Sequence, residues 1–222
     1  MELKTIALFG GTFDPVHIGH LRTALEVQQA LQLTEMRLLP CKIPPHRPPP
    51  LANSAHRLTM LRLATEHSLL RVDDREMNRE GTSYTIDSLM SARREYPEVS
   101  LSFVVRLDVF LTLPSWHQWE NLIKVAHCIV TLHKGEKFPE TGAISQFYKA
   151  HTKAPEYLKK EAFGGVIPLI IPTFEISAQR IRTLLKEQES PQFLFPEKVY
   201  KYVQKHKLYG YTQASKKVKT GG

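Results

Sequence analysis

Thr5–His20 reads TIALFGGTFDPVHIGH, and the fold of the chain turns on this stretch. Thr5–Phe9 is a short apolar strand. Gly10 and Gly11 follow at once. Gly19–Leu31 then places Leu21, Leu25 and Leu31 on roughly one face, with Ala24 and Gln28 beside it, which is helical spacing. A strand, a glycine pair and a helix let backbone N–H groups approach an anion that the helix N-terminus favours. The loop is not a Walker A loop, because no Gly-Lys-Ser/Thr follows, and it is not GxGxxG. Where a lysine would stand there are His17 and His20, spaced H-x-G-H, with Gly19 expected to leave room for a phosphate. Imidazole, neutral or charged, donates hydrogen bonds to phosphoryl oxygens and stabilises charge on a transferring phosphorus. A zinc site, the rival for paired histidines, would want further ligands and a different context.

Outward from this stretch the alternation repeats. Strands are expected at Met36–Pro40, Leu70–Asp73, Leu101–Val105, His127–Leu132 and Val166–Ile171, with Pro168 arguing that the last lies at an edge. Helices are expected after Ser54, which offers a cap, and over Thr85–Glu95, with Ile86, Leu89 and Met90 inward. Further helices fall at Trp119–Val125, Ser177–Glu187 and Pro196–His206. Cys41–Pro50, CKIPPHRPPP, is a Pro-rich loop that neither helix nor central strand accommodates. Near-continuous apolar strands between helices predict an α/β fold, a Rossmann-like, doubly wound parallel sheet with helices on both faces. Ligands in such folds sit beyond the carboxyl ends of the strands, at a switch in strand order. Chemistry is therefore sought in Gly10–His20, Cys41–Arg47, Arg106–Trp116 and Thr173–Arg182.

Residues 1–209 read as one domain, with 133–165 as a surface insertion and 210–222 as an unstructured basic tail. The 222 residues, 42% hydrophobic and 23% charged, suffice to bury a core without disulfides or metal. No apolar run reaches the ~18–20 residues that span a bilayer, and MELKTIALFGG lacks the long apolar stretch of a signal peptide. Cys41 and Cys128 lie far apart, outside any metal-ligand spacing. A cytoplasmic protein with reduced thiols and no membrane partner is expected. The formal net charge of +8 suits polyanions, and three of those charges are Lys216, Lys217 and Lys219 in the tail. A few lysines bind nucleic acid only weakly and in a salt-sensitive way, so nucleic acid is not the expected partner. A homo-oligomer is compatible with the sequence.

A second anion motif lies at Ile176–Arg182, ISAQRIR. Ser177 is a good N-cap, and its hydroxyl and the N–H groups after it form another anion site, followed by Arg180 and Arg182. Alone this is an ordinary capped helix. Facing the first motif, it would hold a triphosphate between two helix N-termini.

Together the two motifs resemble those of the HxGH nucleotidyltransferase superfamily. The full string GGTFDPVHIGH resembles, more narrowly, the bacterial nicotinate-nucleotide adenylyltransferases, over nearly the whole chain from Leu8 to about Tyr209. Four further segments support the likeness: PPHRP (44–48), TSYTIDSL (82–89), LSFVVRLDVFL (101–111) and LPSWHQWENL (113–122). The resemblance implies transfer of the adenylyl group of ATP to nicotinate mononucleotide. The products are nicotinate adenine dinucleotide (deamido-NAD) and pyrophosphate, in NAD biosynthesis. ATP and nicotinate mononucleotide would be the partners, and Mg²⁺ would come with ATP, with no dedicated protein ligand set for a metal. His17 and His20 would be catalytic. Gly10, Gly11, Thr12, Phe13, His17, Gly19, His20, Asp108, Ile176, Ser177 and Arg182 would hold ATP. Thr12, His46, Arg47, Tyr84, Thr85 and Trp116 would hold the mononucleotide, with Trp116 stacked on the pyridine ring and Trp119 given to packing.

Two positions depart from the family's pattern: Arg106 stands where the family has glycine, and Gln179 where the motif has threonine. Arg106 puts a long cation where space is expected to be tight. It would suit a second reading, a nucleotide-binding protein of reduced activity. Two relatives carry similar motifs, one acting on nicotinamide mononucleotide and one on phosphopantetheine. The Pro-rich loop and the Trp116 segment argue against phosphopantetheine.

Overall fold

The computed structural model describes residues 2–45 and 48–212. The elements in chain order are β1 (Thr5–Gly11), α1 (Ile18–Ala30), β2 (Glu35–Pro40), α2 (Ser54–Thr65), β3 (Leu70–Val72), α3 (Thr85–Glu95) and β4 (Ser100–Arg106). Then come α4 (Leu107–Phe110), α5 (Trp119–Leu122), β5 (His127–Leu132), α6 (Ala143–His151), β6 (Val166–Ile170), α7 (Ala178–Lys186) and α8 (Glu197–Lys205). The six strands form one parallel sheet in the order β3-β2-β1-β4-β5-β6. This is the Rossmann-like, doubly wound architecture that the alternation predicts. β6 is the last strand of the sheet, bridged on its outer side by Thr152 at Val166, so Pro168 lies on an edge strand, where a missing N–H is tolerated.

Side chains along β1 alternate between two apolar clusters, one on each face. Ala7 and Phe9 join α1, α2, α7 and α8 through Ala24, Val27, Met60, Leu61, Ile181, Leu185, Val199 and Val203. Ile6 and Leu8 join α3–α6 through Ile86, Leu89, Phe110, Leu122 and Ile144. With both faces covered, the interior strands have no solvent side to show, which is why their sequences are mostly apolar and do not alternate.

Several local expectations are corrected. The cap of α2 is Asn53, whose side chain accepts the His56 N–H at 2.9 Å, and not Ser54, which lies inside the first turn. Met90 is exposed, because Ile86, Leu89 and Ala92 fill the buried face of α3. Residues 133–165, expected as a surface insertion, provide the crossover from β5 to β6. α6 buries Ile144 and Ser145, and Leu158 reaches the opposite cluster. A parallel pair requires such a connection. Of the segment read as an unstructured tail, Tyr211 is half-buried and accepts a hydrogen bond from Gln204 at 3.0 Å. The lysines at 216, 217 and 219 lie outside the described residues.

The switch in strand order falls between β1 and β4, and the register shows the crevice opening there. The β1–β4 pairing ends at Phe9↔Val104. β1 continues beside β2 to Gly11↔Pro40, and β4 continues beside β5 to Arg106↔Thr131. Gly10 and Gly11 thus line one lip of the crevice, and Val105 and Arg106 the other.

Candidate active site

α1 opens with a reciprocal cap made of two histidines. The His20 backbone N–H donates to His17 Nδ1 at 3.3 Å, and the His17 N–H donates to His20 Nδ1 at 3.3 Å. The rings stack, with centroids 3.6 Å apart. Each Nδ1 is thus an acceptor, so each neutral ring carries its proton on Nε2. Burial holds His17 down to about 4. Burial, then the His17 ring, then Arg106 press His20 well below the usual histidine range. The pair therefore presents two uncharged Nε2–H donors at neutral pH.

Gly19 serves this cap in a way that spacing alone does not suggest. A Cβ there would lie 3.0 Å from His17 Nδ1, 3.1 Å from His17 Cε1 and 3.4 Å from Ile176 Cβ. The space a side chain would take is bounded by the His17 ring and by Ile176, so Gly19 makes room for the His17 ring. Gly10 is exposed, with nothing within 4 Å of where a Cβ would stand, and is open to a ligand. Phe13 is buried with φ 50°, its ring under Gly11 and edge-on to His20, centroids 5.0 Å apart. It acts as a wedge beneath the loop. Thr12 beside it is half-buried.

The second anion motif lies against the first. Ile176 packs beside Gly19, and the Ser177 hydroxyl caps α7 by accepting the Arg180 N–H at 3.1 Å. Arg182, one turn on, donates to the Asp14 carbonyl at 2.6 Å, holding the loop from behind. The two helix N-termini, some 160 residues apart in the chain, are neighbours in space.

Asp14 and Arg57 are the residues that sequence reasoning missed. The Asp14 carboxylate is buried and accepts the Leu51 and Ala52 N–H groups at 2.8 and 3.1 Å and the Tyr209 hydroxyl at 2.8 Å. Arg57, 1% exposed, donates to the carbonyls of Thr12, Cys41, Lys42 and Ala52 at 2.8, 2.6, 3.1 and 3.2 Å. It ties the glycine loop to both ends of the Pro-rich loop. A signal existed: Arg57 falls in register with Met60, Leu61 and Ala64, on the apolar stripe of α2.

On the far side of the Pro-rich loop, the Ser83 hydroxyl accepts the Lys42 and Ile43 N–H groups at 3.2 and 3.4 Å. This brings the loop to the start of α3, where Tyr84 is the cap residue and no side chain caps the helix. Thr85 and the N–H groups after it are open there. The Tyr84 ring lies 4.5 Å from that of His117, a residue not singled out from sequence. Trp116, next to it, is half-buried, and its Nε1–H donates to the Thr112 hydroxyl at 3.2 Å. Trp119 packs edge-on against Phe147. Tyr84, Thr85 and the Trp116–His117 corner are thus gathered in one place. His46 and Arg47 lie outside the described residues.

Arg106 and Asp108 face each other. Arg106 Nε and Nη2 donate to Asp108 Oδ1 and Oδ2, both at 3.1 Å, and both side chains are exposed. The expected crowding of the strand end by Arg106 does not occur, because its side chain turns outward to the carboxylate. Gln179 is exposed on α7. Among the described residues, no group of three His, Cys, Asp or Glu side chains could hold a metal ion, and no helix is long and apolar enough to cross a membrane. Both cysteines are free thiols.

The chain matches the model of the cytidylyltransferase-like family over residues 8–184. It is 45% identical over 207 residues to a Cellvibrio japonicus protein described as a probable nicotinate-nucleotide adenylyltransferase, covering 92% of this chain and 98% of that one. A Hahella chejuensis protein with the same description is 42% identical over 217 residues, covering 96% and 99%. Among solved structures, a Plasmodium falciparum nicotinic acid mononucleotide adenylyltransferase complexed with NaAD superposes with a TM-score of 0.72 at 19% identity, over 94% of this chain and 98% of that one. That last likeness speaks for the fold.

Proposed function

The chain belongs to the cytidylyltransferase-like family and, within it, to the nicotinate-nucleotide adenylyltransferases, and from that premise we propose that it transfers the adenylyl group of ATP to nicotinate mononucleotide. The observation that carries the reading is the reciprocal His17–His20 cap at the mouth of the β1–β4 crevice, with the N-terminus of α7 beside it.

The mononucleotide phosphate is an anion at neutral pH and needs no general base. One of its oxygens attacks the α-phosphorus of ATP. The new P–O bond forms as the bond to the bridging oxygen of the β-phosphate breaks, and pyrophosphate leaves with the electron pair. No covalent enzyme intermediate is formed, so catalysis is positioning and electrostatics. The Nε2–H groups of His17 and His20 donate to the α-phosphoryl oxygens. Gly10, Gly11, Thr12 and Phe13 line the loop around them. Ser177 and the α7 N-terminus hold the departing pyrophosphate, and Arg182 steadies the loop through the Asp14 carbonyl. Asp108 takes the ribose of ATP. Tyr84, Thr85 and the open start of α3 take the nicotinate carboxylate, with Trp116 against the ring and His46 and Arg47 over the mononucleotide. Mg²⁺ enters as part of the substrate, held by triphosphate oxygens and water. The free thiols fit a reducing compartment, and we place the enzyme in the cytoplasm.

The test is to incubate the folded protein with ATP, Mg²⁺ and, in turn, nicotinate mononucleotide, nicotinamide mononucleotide or phosphopantetheine, and to measure pyrophosphate. Release with the first is expected. Release only with the second or the third would reassign the substrate, and none with any would overturn the reading.

A further inference from the structure

Among the described residues, the β1 side of the crevice has a supply of hydrogen-bond donors but little positive charge free to meet a phosphate. His17 is buried and His20 half-buried, and the two are stacked and bonded so that they stay neutral. The guanidinium of Arg57 is turned away to four carbonyls, and that of Arg182 donates to the Asp14 carbonyl. On α1, Arg22 pairs with Glu26, and on α7 the exposed Arg180 stands 4.0 Å from Glu189. A transferring phosphoryl group bearing a triphosphate would thus meet dipoles and uncharged N–H groups on the β1 side alone.

The other lip is different. β4 runs two residues beyond its pairing with β1, and the residue at its tip is Arg106. Its side chain is 57% exposed and its hydrogen-bond partner among the described residues is Asp108, itself 62% exposed. An ion pair so open to water is weak and exchanges readily. A guanidinium forked onto a carboxylate has the geometry to fork onto a phosphate instead. Its charge is also close enough to His20 to press on the proton affinity of that ring.

We propose that Arg106 is a catalytic residue that leaves Asp108 when ATP binds and bridges to the non-bridging oxygens of the α-phosphoryl group opposite His20, supplying from β4 the positive charge that the β1 side lacks. The exchange also releases the Asp108 carboxylate, so that one event frees an acceptor for the nucleoside and delivers a cation to the phosphate. This rests on the reading above that the crevice takes ATP.

The test compares wild type with Arg106→Met, Arg106→Lys and Arg106→Gly. Two readouts are used: steady-state pyrophosphate release, and the Kd of an ATP analogue with a methylene between the α- and β-phosphorus. Arg106 is exposed, so all three variants should melt within a few degrees of wild type. Arg106→Met and Arg106→Gly are expected to lose about 10²-fold in kcat, the scale for removal of one preorganised donor. They should also bind the analogue more weakly, and Arg106→Lys should recover part of both. Wild-type or faster turnover in Arg106→Gly or Arg106→Met would overturn the proposal and make Arg106 an obstacle or a bystander. If wild type binds the analogue yet releases no pyrophosphate with any mononucleotide, the substrate reading has failed and Arg106 is judged on analogue binding alone. Unchanged affinity in the variants then overturns it.

Discussion

Replacing Arg57 by methionine keeps the volume of the side chain and removes its guanidinium. Four carbonyls, those of Thr12, Cys41, Lys42 and Ala52, then lose their donors. A hydrogen bond from a charged donor contributes about 1.5–3 kcal/mol net. The two shortest contacts, to the Thr12 and Cys41 carbonyls at 2.8 and 2.6 Å, should account for most of the loss. Two such bonds give a loss of at least about 3 kcal/mol, a large part of the ~5–15 kcal/mol that holds a domain together. For a chain of this size it corresponds to roughly 10 °C in Tm. Urea unfolding at pH 7.5, with the slope m compared to wild type, measures it. Arg57→Lys should lose less, since an ammonium can still reach some of these carbonyls. Turnover should be read at about 10 °C, where Arg57→Met remains folded. It is expected to fall at least tenfold, because Thr12 and the ends of the Pro-rich loop are no longer tied together. A stability loss under 1 kcal/mol, or normal kcat in the folded variant, would refute the idea that Arg57 braces the two loops.

His20→Ala should lower kcat by about 10²–10³. The position of the proton can be tested on the same site, because the amide nitrogen of Gln lies near Nε2 and that of Asn near Nδ1. His20→Gln should retain more activity than His20→Asn, and the reverse order would show that the ring does not donate from Nε2. Stability should fall with acid. His17 and His127 are held by burial to about 4, against an ordinary 6.5. Between those values the unfolded chain binds the extra protons, so stability present above pH 6.5 is lost as pH drops towards 4. The loss is up to about 3 kcal/mol for each group. Urea midpoints at pH 7.5, 5.5 and 4.5 measure it, and a flat profile would contradict the burial of both rings. In Gly19→Ala the new methyl meets His17 Nδ1 at 3.0 Å. A gain of up to ~1 kcal/mol in helix propensity should offset the damaged cap, leaving Tm nearly unchanged while kcat falls at least tenfold. Equal activity would mean that the His17 ring has freedom to move.

What can be read from the sequence, and what cannot, divides along a physical line. Periodicity reports which side of an element meets the core, so the strands, their burial and the edge position of Pro168 are legible. The Gly-Gly and H-x-G-H spacing lies within eleven consecutive residues, so the passage from strand through glycine loop to helix is legible too. Contacts between distant segments leave no such trace. Nothing in Asp14 announces that its partners are Leu51, Ala52 and Tyr209. Gly19 reads as space for a ligand because sequence cannot tell which neighbour fills the space a glycine leaves. Arg106 reads as a crowding residue for the same reason. The direction of its side chain depends on Asp108, two residues on, and on the parting of β4 from β1. The segment 133–165 looks irregular because its charged and polar residues outnumber the few that matter to the core, Ile144 and Leu158.

These buried groups define how the site is made ready. A triphosphate pocket lined with lysines would attract its ligand strongly but would leave the loop free to follow it. Here the charged groups behind the loop are committed to its shape. Arg57 and Arg182 donate to five backbone carbonyls, and Asp14 accepts from two backbone N–H groups and one phenol. Burial and Asp14 push the Tyr209 hydroxyl well above its ordinary range, so that donor stays protonated at any pH the enzyme meets. The two imidazoles are fixed by backbone N–H groups, so in the proposed reaction they would need no reorientation as charge develops on phosphorus. Activity should therefore follow the integrity of this scaffold more closely than the net charge of the surface. Raising salt, which screens exposed lysines and the Arg106–Asp108 pair, should weaken ATP binding while leaving the histidine geometry intact. Removing the Tyr209 hydroxyl should do the opposite, lowering kcat at saturating ATP with little change in salt dependence.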